Sequence, residues 1–432
     1  MRLLFAFAFF ACSNPVPLLF FAQDFLLFLP CFLPIIATLK KHGKRAYDMK
    51  ISNMISLIGK IGGGKLTVNQ ERCVLVRNRN ADCLRCAEVC VSGCISTLEN
   101  ELIVDPFVCI GCGTCATICP TAALEPTEPT DEQLLLFCDR AAAQNNGTVV
   151  IMCDKMAEKA GNMVDFSKAV VVPCIGRIEE SLLITLAAHD VARVLLVDTL
   201  CADCQYQAGH AAEELVFDTA QQLLDTWHST LDVHFIQKLP RSLRKNTQDS
   251  FDAERRALFS EVKTQAQNTA KEAAAAGIND ALGNKAEEKK GPVYLHVNEQ
   301  GVLPHFVPNR RMQLINSLAQ LGEPEDIMFN TRLWGNVMVD ASKCKSCYMC
   351  AVFCPTGALV KLMDEDGVAK SVGHIPSKCV KCRTCENICM GGAITISEEV
   401  FACDMLAGMT ETFAMEKEGA SLKTMLMNKE TL

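Results

Sequence analysis

The sequence predicts an α+β protein in three parts: two copies of a small cysteine-built module, flanking a central α/β domain with a parallel sheet. Three observations carry this. Cysteine-rich blocks at residues 66–125 and 335–400 repeat each other, each with a C-x3-C ending. Between them TVVIMC (148–153), AVVVPC (169–174), RVLLVD (193–198) and DVHFIQ (232–237) read as short buried strands. Helical patterns at Ile178–His189 and Ala208–Trp227, the second with Ala211, Leu215, Leu223 and Leu224 on one face, fill two of the gaps, and strands alternating with helices imply a parallel sheet.

At 432 residues the chain has room for two or three domains, each with its own core. A formal net charge of −8 argues against a nucleic-acid partner, which needs a basic face. The 25 cysteines are too sparse and wrongly spaced for a secreted disulfide scaffold. They point instead to metal binding in a reducing, cytoplasmic compartment.

Residues 1–48 are an apolar leader closed by a basic cluster, Lys40 to Arg45. One reading is a membrane anchor at 16–38 that holds the remainder at the inner face of the membrane. Asp24, Pro30 and Pro34 weigh against it, and the other reading is translation from Met49 or Met54.

In block 66–125, CIGCGTCATICP gives Cys109, Cys112, Cys115 and Cys119 in C-x2-C-x2-C-x3-C spacing. That spacing has a mechanical reason. Three thiolates on a tight loop reach three irons of one cubane, while the fourth crosses a short helix to the other cluster. The partner motif holds Cys83, Cys86 and Cys90 but has Asn80 where a first ligand belongs. Cys73 is the simplest substitute, with a basic loop (Arg77, Arg79) inserted before Cys83. The assignment is therefore Cys73, Cys83, Cys86 and Cys119 for one [4Fe–4S] cluster and Cys109, Cys112, Cys115 and Cys90 for another. If Cys73 is out of reach, the first becomes a three-iron centre or recruits Cys94, which otherwise reads as a small core residue.

The central domain, 145–238, carries four further thiols. Cys153 and Cys174 end the first two predicted strands, and Cys201 and Cys204 lie just beyond the third. All strand C-termini of a parallel sheet share one edge, so these thiols are expected at one rim. Three chemistries stay open there: a [2Fe–2S] cluster, a structural zinc, or a Cys201–Cys204 redox pair. Arg177 either balances the charge of a reduced cluster or caps the rim.

Residues 239–330 read as a helical linker, charged and Ala-rich at first, then a helix at 310–322. In block 335–400 the runs CKSCYMCAVFCP and CVKCRTCENICM assign Cys344, Cys347, Cys350 and Cys389 to one [4Fe–4S] cluster and Cys379, Cys382, Cys385 and Cys354 to another. The tail, 401–432, is expected to form an amphipathic helix with Met405, Met409 and Met415. Cys138 and Cys403 read as core, and His374 as an exposed loop residue.

Both blocks resemble the bacterial-type two-cluster ferredoxin domain. The resemblance implies a ferredoxin-like βαββαβ fold and one-electron transfer. CIGRIEESLL followed by VLLVDTLCADCQYQAGH resembles the delta-type iron–sulfur subunit of methyl-viologen-reducing hydrogenases over about 148–212. That likeness implies a [2Fe–2S] site and a relay between a hydrogenase or formate dehydrogenase and a heterodisulfide-reductase-type partner. The chain departs from the pattern at Met156, where the family has a second cysteine, and at its C-x2-C, where the family has C-x4-C. The expectation is thus an electron-transfer protein serving redox protein partners, with four [4Fe–4S] clusters, a further [2Fe–2S] cluster at the rim and no catalytic activity of its own. The alternatives are an accessory or maturation factor for a metalloenzyme such as formate dehydrogenase, and a reductase acting at the rim.

Overall fold

The structure is a computed structural model that describes residues 64–98, 100–245, 295–299 and 301–414. The expected leader or anchor, most of the charged part of the expected linker and the end of the tail lie outside the described residues. Among the described residues no helix is long and apolar enough to cross a membrane.

The first block runs β1 (Leu66–Val68), α1 (Val74–Arg77), α2 (Arg85–Glu88), β2 (Ile95–Leu98), β3 (Glu101–Val104), α3 (Thr114–Ile118) and β4 (Leu124–Pro126). β1 pairs antiparallel with β4, and β2 with β3. Helices of four or five residues are too short to hold themselves. They are fixed by a small core of Val76, Ile95, Leu102 and Leu124, into which Cys73, Cys109 and Cys115 pack.

The central domain opens with α4 (Asp131–Gln144), a helix not expected from the sequence. Its signal was present: Thr130 and Gln133 form a reciprocal capping box. Then come β5 (Thr148–Cys153), α5 (Asp154–Ala160), β6 (Ala169–Val172), a 3-10 turn at Ile175–Arg177, α6 (Glu180–Ala188), β7 (Arg193–Val197), α7 (Gln207–Thr226) and β8 (Asp232–Ile236). The four strands are parallel, in the order β6-β5-β7-β8. β6 stops two residues short of the expected Cys174 because Pro173 has no N–H to continue the ladder.

On α7 the expected apolar face included Ala211 and Leu215. Both are exposed, and the buried stripe is Ala212, Val216, Ala220, Leu223 and Leu224. Leu223 and Leu224 are buried as expected, and the shift from Ala211 and Leu215 to Ala212 and Val216 is confined to the first turns, where α7 packs on α6 and the Ile175–Arg177 turn.

Within the stretch expected as linker lie α8 (Asn309–Leu321) and β9 (Met328–Asn330). α8 packs on α6 and puts Leu314 and Leu318 into the central core beside Trp334. The last block repeats the order of the first without a counterpart of α1: β10 (Asn336–Val339), α9 (Met349–Phe353), β11 (Leu359–Met363), β12 (Ala369–His374), α10 (Thr384–Asn387) and β13 (Ile394–Ser397). Again the outer strands pair, β10 with β13, and the inner two form a hairpin.

The tail departs from the expected amphipathic helix. β14 (Glu399–Phe401) pairs with β9, α11 (Ala402–Leu406) stops before Gly408, and β15 (Glu411–Ala414) joins β12. Met405 is core and Met409 is exposed, while Met415 lies outside the described residues. Two further expectations are corrected. Cys403 is exposed, and His374 is fully buried on β12, where burial lowers its pKa to about 4.

Glu213 on α7 is also fully buried, and neither carboxylate oxygen has a hydrogen-bond partner. Burial, with Asp198 and Glu214 adding, raises its pKa well above the ordinary carboxylate value. The folded state therefore holds this proton more tightly than the unfolded chain. The resulting stability is present below the ordinary value and is lost as pH climbs towards the raised one. Glu213→Gln is expected to stabilise the chain by about 1–3 kcal/mol at pH 8. Urea unfolding should show a smaller gain at pH 5.5.

Candidate metal centres

The sheet edge delivers the four central thiols to one place. β5 ends at Cys153, β6 leads through Pro173 to Cys174, and β7 leads to the turns bearing Cys201 and Cys204. All four line a single pocket together with Lys155, Tyr206 and His210. Burial pushes the Cys174 thiol up to about 11 and the Cys201 thiol up to about 12, and Cys153 adds to both. Lys155 Nζ lies 3.8 Å from Cys204 Sγ and 4.4 Å from the centre of the Tyr206 ring. The Tyr206 backbone N–H points at Cys204 Sγ from 3.5 Å.

Two glycines let this rim close onto the first block. A Cβ on Gly176 would stand 2.6 Å from both Gly209 O and Thr114 Oγ1, and one on Gly209 would stand 2.8 Å from Cys174 Sγ. The turn after Cys174 thus lies directly on α3. Cys112 comes close enough to Cys174 for its charge to raise the Cys174 thiol further.

Thiols from the two motifs of the first block interleave. Burial drives Cys86 up to about 12, and the charges of Cys119, Cys73 and Cys83 add to it in that order. Cys73, which precedes α1, responds likewise to Cys119 and Cys83. Cys115, deeply buried, faces Cys112, Cys86, Cys90 and Cys94. Cys94 is buried as expected, yet it is not a remote core residue. Its sulfur lies 3.4 Å from Cys90 Sγ and it hydrogen-bonds Cys109.

The last block shows the same crossing. Burial raises Cys382 to about 12, and Cys354 and Cys379 add to it. Cys385 is raised by burial and then by Cys382, Cys379, Cys354 and Cys350. Cys354, Cys379, Cys382 and Cys385 also line one pocket with Val337, Leu359 and Ile396. Cys350 faces Cys347 and Cys344. Cys389 follows α10, and its sulfur accepts the Ala393 N–H at 3.3 Å.

Among the described residues no three His, Cys, Asp or Glu side chains converge to hold a single metal ion. The rim thiols and the Cys354, Cys379, Cys382 and Cys385 thiols each line a pocket with apolar residues, and backbone N–H groups point at sulfur, as at Ala123 to Cys119 and Leu359 to Cys354. That donor set, all soft thiolate, fits a polynuclear iron–sulfur cluster.

The sequence missed the charged layer that joins the sets. Arg177 does not cap the rim. It is buried on Asp131, which also takes Arg310 in a bidentate pair at 2.7 and 2.9 Å. Arg310 donates as well to Ala116 O of α3 at 2.8 Å, and Arg332 pairs with Glu180 at 2.5 Å while reaching Thr117 O. Arg77, expected in a basic inserted loop, ends α1 and is buried, donating to Pro304 O at 3.0 Å and Cys354 O at 3.4 Å. Arg85 and Asn387 connect the same two blocks through Lys381 O and Asp82 O.

Residues 102–125 and 337–360 match the 4Fe-4S binding domain family. The chain is 46% identical over 39 residues to the 7Fe ferredoxin of Hydrogenibacillus schlegelii, covering 9% of this chain and 50% of that protein. It is 37% identical over 67 residues to Ferredoxin-1 of Caulobacter vibrioides, covering 15% and 59%. It is 34% identical over 68 residues to indolepyruvate oxidoreductase subunit IorA of Methanothermobacter thermautotrophicus, covering 16% and 10%. The matches thus span between 10% and 59% of those relatives' own lengths. No solved structure matches. With the two stretches matched by the family lying one in each cysteine block, the chain carries ferredoxin-type 4Fe–4S domains in both its N-terminal and its C-terminal half.

Proposed function

We propose that this chain is an iron–sulfur electron relay built from two two-cluster ferredoxin-like blocks and a central domain, with four [4Fe–4S] clusters and a [2Fe–2S] cluster at the rim. The ligands are Cys73, Cys83, Cys86 and Cys119; Cys90, Cys109, Cys112 and Cys115; Cys354, Cys379, Cys382 and Cys385; Cys344, Cys347, Cys350 and Cys389; and, for the rim, Cys153, Cys174, Cys201 and Cys204. Bound clusters supply one-electron chemistry. The chain's own residues hold them, exclude water and set their order.

The observation that carries the reading is that each thiol set lies within range of the charge of the next, from the rim into the first block and again within the last block. The rim meets Cys112 through Cys174, and Cys115 meets Cys86. Arg77 spans from the first block to Cys354, and Cys385 meets Cys350. A succession of thiol sets, each next to another, suits a relay between two protein partners better than a site that turns over a substrate. Resemblance of the 148–212 segment favours a formate dehydrogenase or hydrogenase at one end and a further redox protein at the other.

Anaerobic iron and sulfide analysis tests this. About sixteen irons per chain are expected from four cubanes, and about eighteen with a two-iron rim. Cys174→Ser should remove one distinct paramagnetic signal and leave the cubane signals. Zinc in place of the last two irons would sink the relay role of the rim.

A further inference from the structure

The charged layer between the blocks is not balanced. Asp131 and Glu179 face Arg310 and Arg177, and Glu180 is occupied by Arg332. Two buried guanidinium groups are left over, Arg77 and Arg311. Among the described residues neither has a carboxylate in ion-pair range, and each keeps an unpartnered nitrogen, Arg77 Nε and Arg311 Nη1. An unpaired buried cation is costly unless something nearby answers its charge.

Both cations converge on the same thiol set. Arg77 Nη2 donates to Cys354 O at 3.4 Å, and the charges of Cys354 and Cys382 act on its guanidinium. Arg311 Nη2 donates to Cys379 O at 3.1 Å, its guanidinium stacked 4.0 Å above the Trp334 ring. Neither comes from the C-terminal cysteine block: one ends α1 and the other belongs to α8. Within that block Lys381 and Arg383 share Glu398, and Arg383 also pairs with Glu386.

Resting on the relay reading, we propose that Cys354, Cys379, Cys382 and Cys385 form the electron-collecting centre of the chain, held above its neighbours in reduction potential by Arg77 and Arg311. Adding an electron to a four-thiolate cluster adds negative charge. Two fixed cations at its ligand carbonyls stabilise that reduced state, because charge and hydrogen bonding at the ligands set the potential. Both are arginines, which stay charged when buried. They arrive from the other parts of the fold, so this bias exists only when the blocks are docked.

The test is a potentiometric titration followed by electron paramagnetic resonance, on the full chain reconstituted anaerobically with iron and sulfide. Cys385→Ser identifies which signal belongs to this centre. Arg77→Gln and Arg311→Gln should each make its reduction about tenfold less favourable, a fall of ~59 mV for one electron, with the other signals in place. Arg77→Lys keeps a cation and should lower the midpoint less than Arg77→Gln. If Arg77→Gln fails to take up its full iron, Arg311→Gln carries the same test. A midpoint that stays put in the glutamine variants with full iron, an equal shift of every signal, or a lysine variant that falls as far as glutamine would each overturn the proposal. An iron content unchanged in Cys385→Ser would overturn the ligand assignment beneath it instead.

Discussion

Asp131→Ala should destabilise the chain by about 3–5 kcal/mol, because it strands two buried guanidinium groups at once. Asp131 takes Arg177 and, in bidentate form, Arg310. Burial alone would raise its pKa, but Arg310 and then Arg177 outweigh it and hold the carboxyl well below the usual range. The stability it contributes is therefore fully present above the ordinary carboxylate value and is lost as pH falls through the depressed one. Urea unfolding at pH 7 should show the loss, and Asp131→Asn should show a smaller one. A second change, Arg310→Met, should recover part of it, since two groups in one network are not additive. The local consequence is at α3, whose Ala116 carbonyl depends on Arg310. A variant as stable as the parent would mean that the cations find other partners.

Cys354→Ser carries the other large effect. The residue belongs to the first motif of its block, yet its charge acts on Cys379, Cys382 and Cys385 of the second, and in its own motif on Cys350, where it is the weakest influence. Loss of about four irons per chain is expected. The vanished signal should be the one also lost in Cys385→Ser, while the signal that depends on Cys344 survives. If instead the Cys344 signal disappears, the crossed assignment is wrong.

The four central strands and α8 were legible because they are apolar runs or stripes of the right period and length. The rim was legible for a topological reason: once the strands are parallel, their ends must share an edge. What stayed hidden depends on partners far along the chain. Arg77 looks like a loop residue next to Arg79, and nothing local says that Pro304 and Cys354 will cover it. The same holds for Arg177, read against the rim when its counter-charge is Asp131. On α7 Leu223 and Leu224 are buried as read, while the first two turns bury Ala212 and Val216 in place of Ala211 and Leu215, because the helix packs on α6 and the Ile175–Arg177 turn there. α4 was missed although Thr130 and Gln133 announce its start.

The sharing of Asp131 by Arg177 and Arg310 also bears on how the protein is made. Asp131 and Arg310 are separated by 179 residues, so at about 5–20 residues per second the ribosome takes roughly 10–40 s to supply the second partner. Arg77 waits longer still, for Cys354, 277 residues on. During that interval the N-terminal thiols are already synthesised but their covering layer is not. The contacts that tie the first cysteine block to α8 and to the last block are therefore among the last to form as the chain is made.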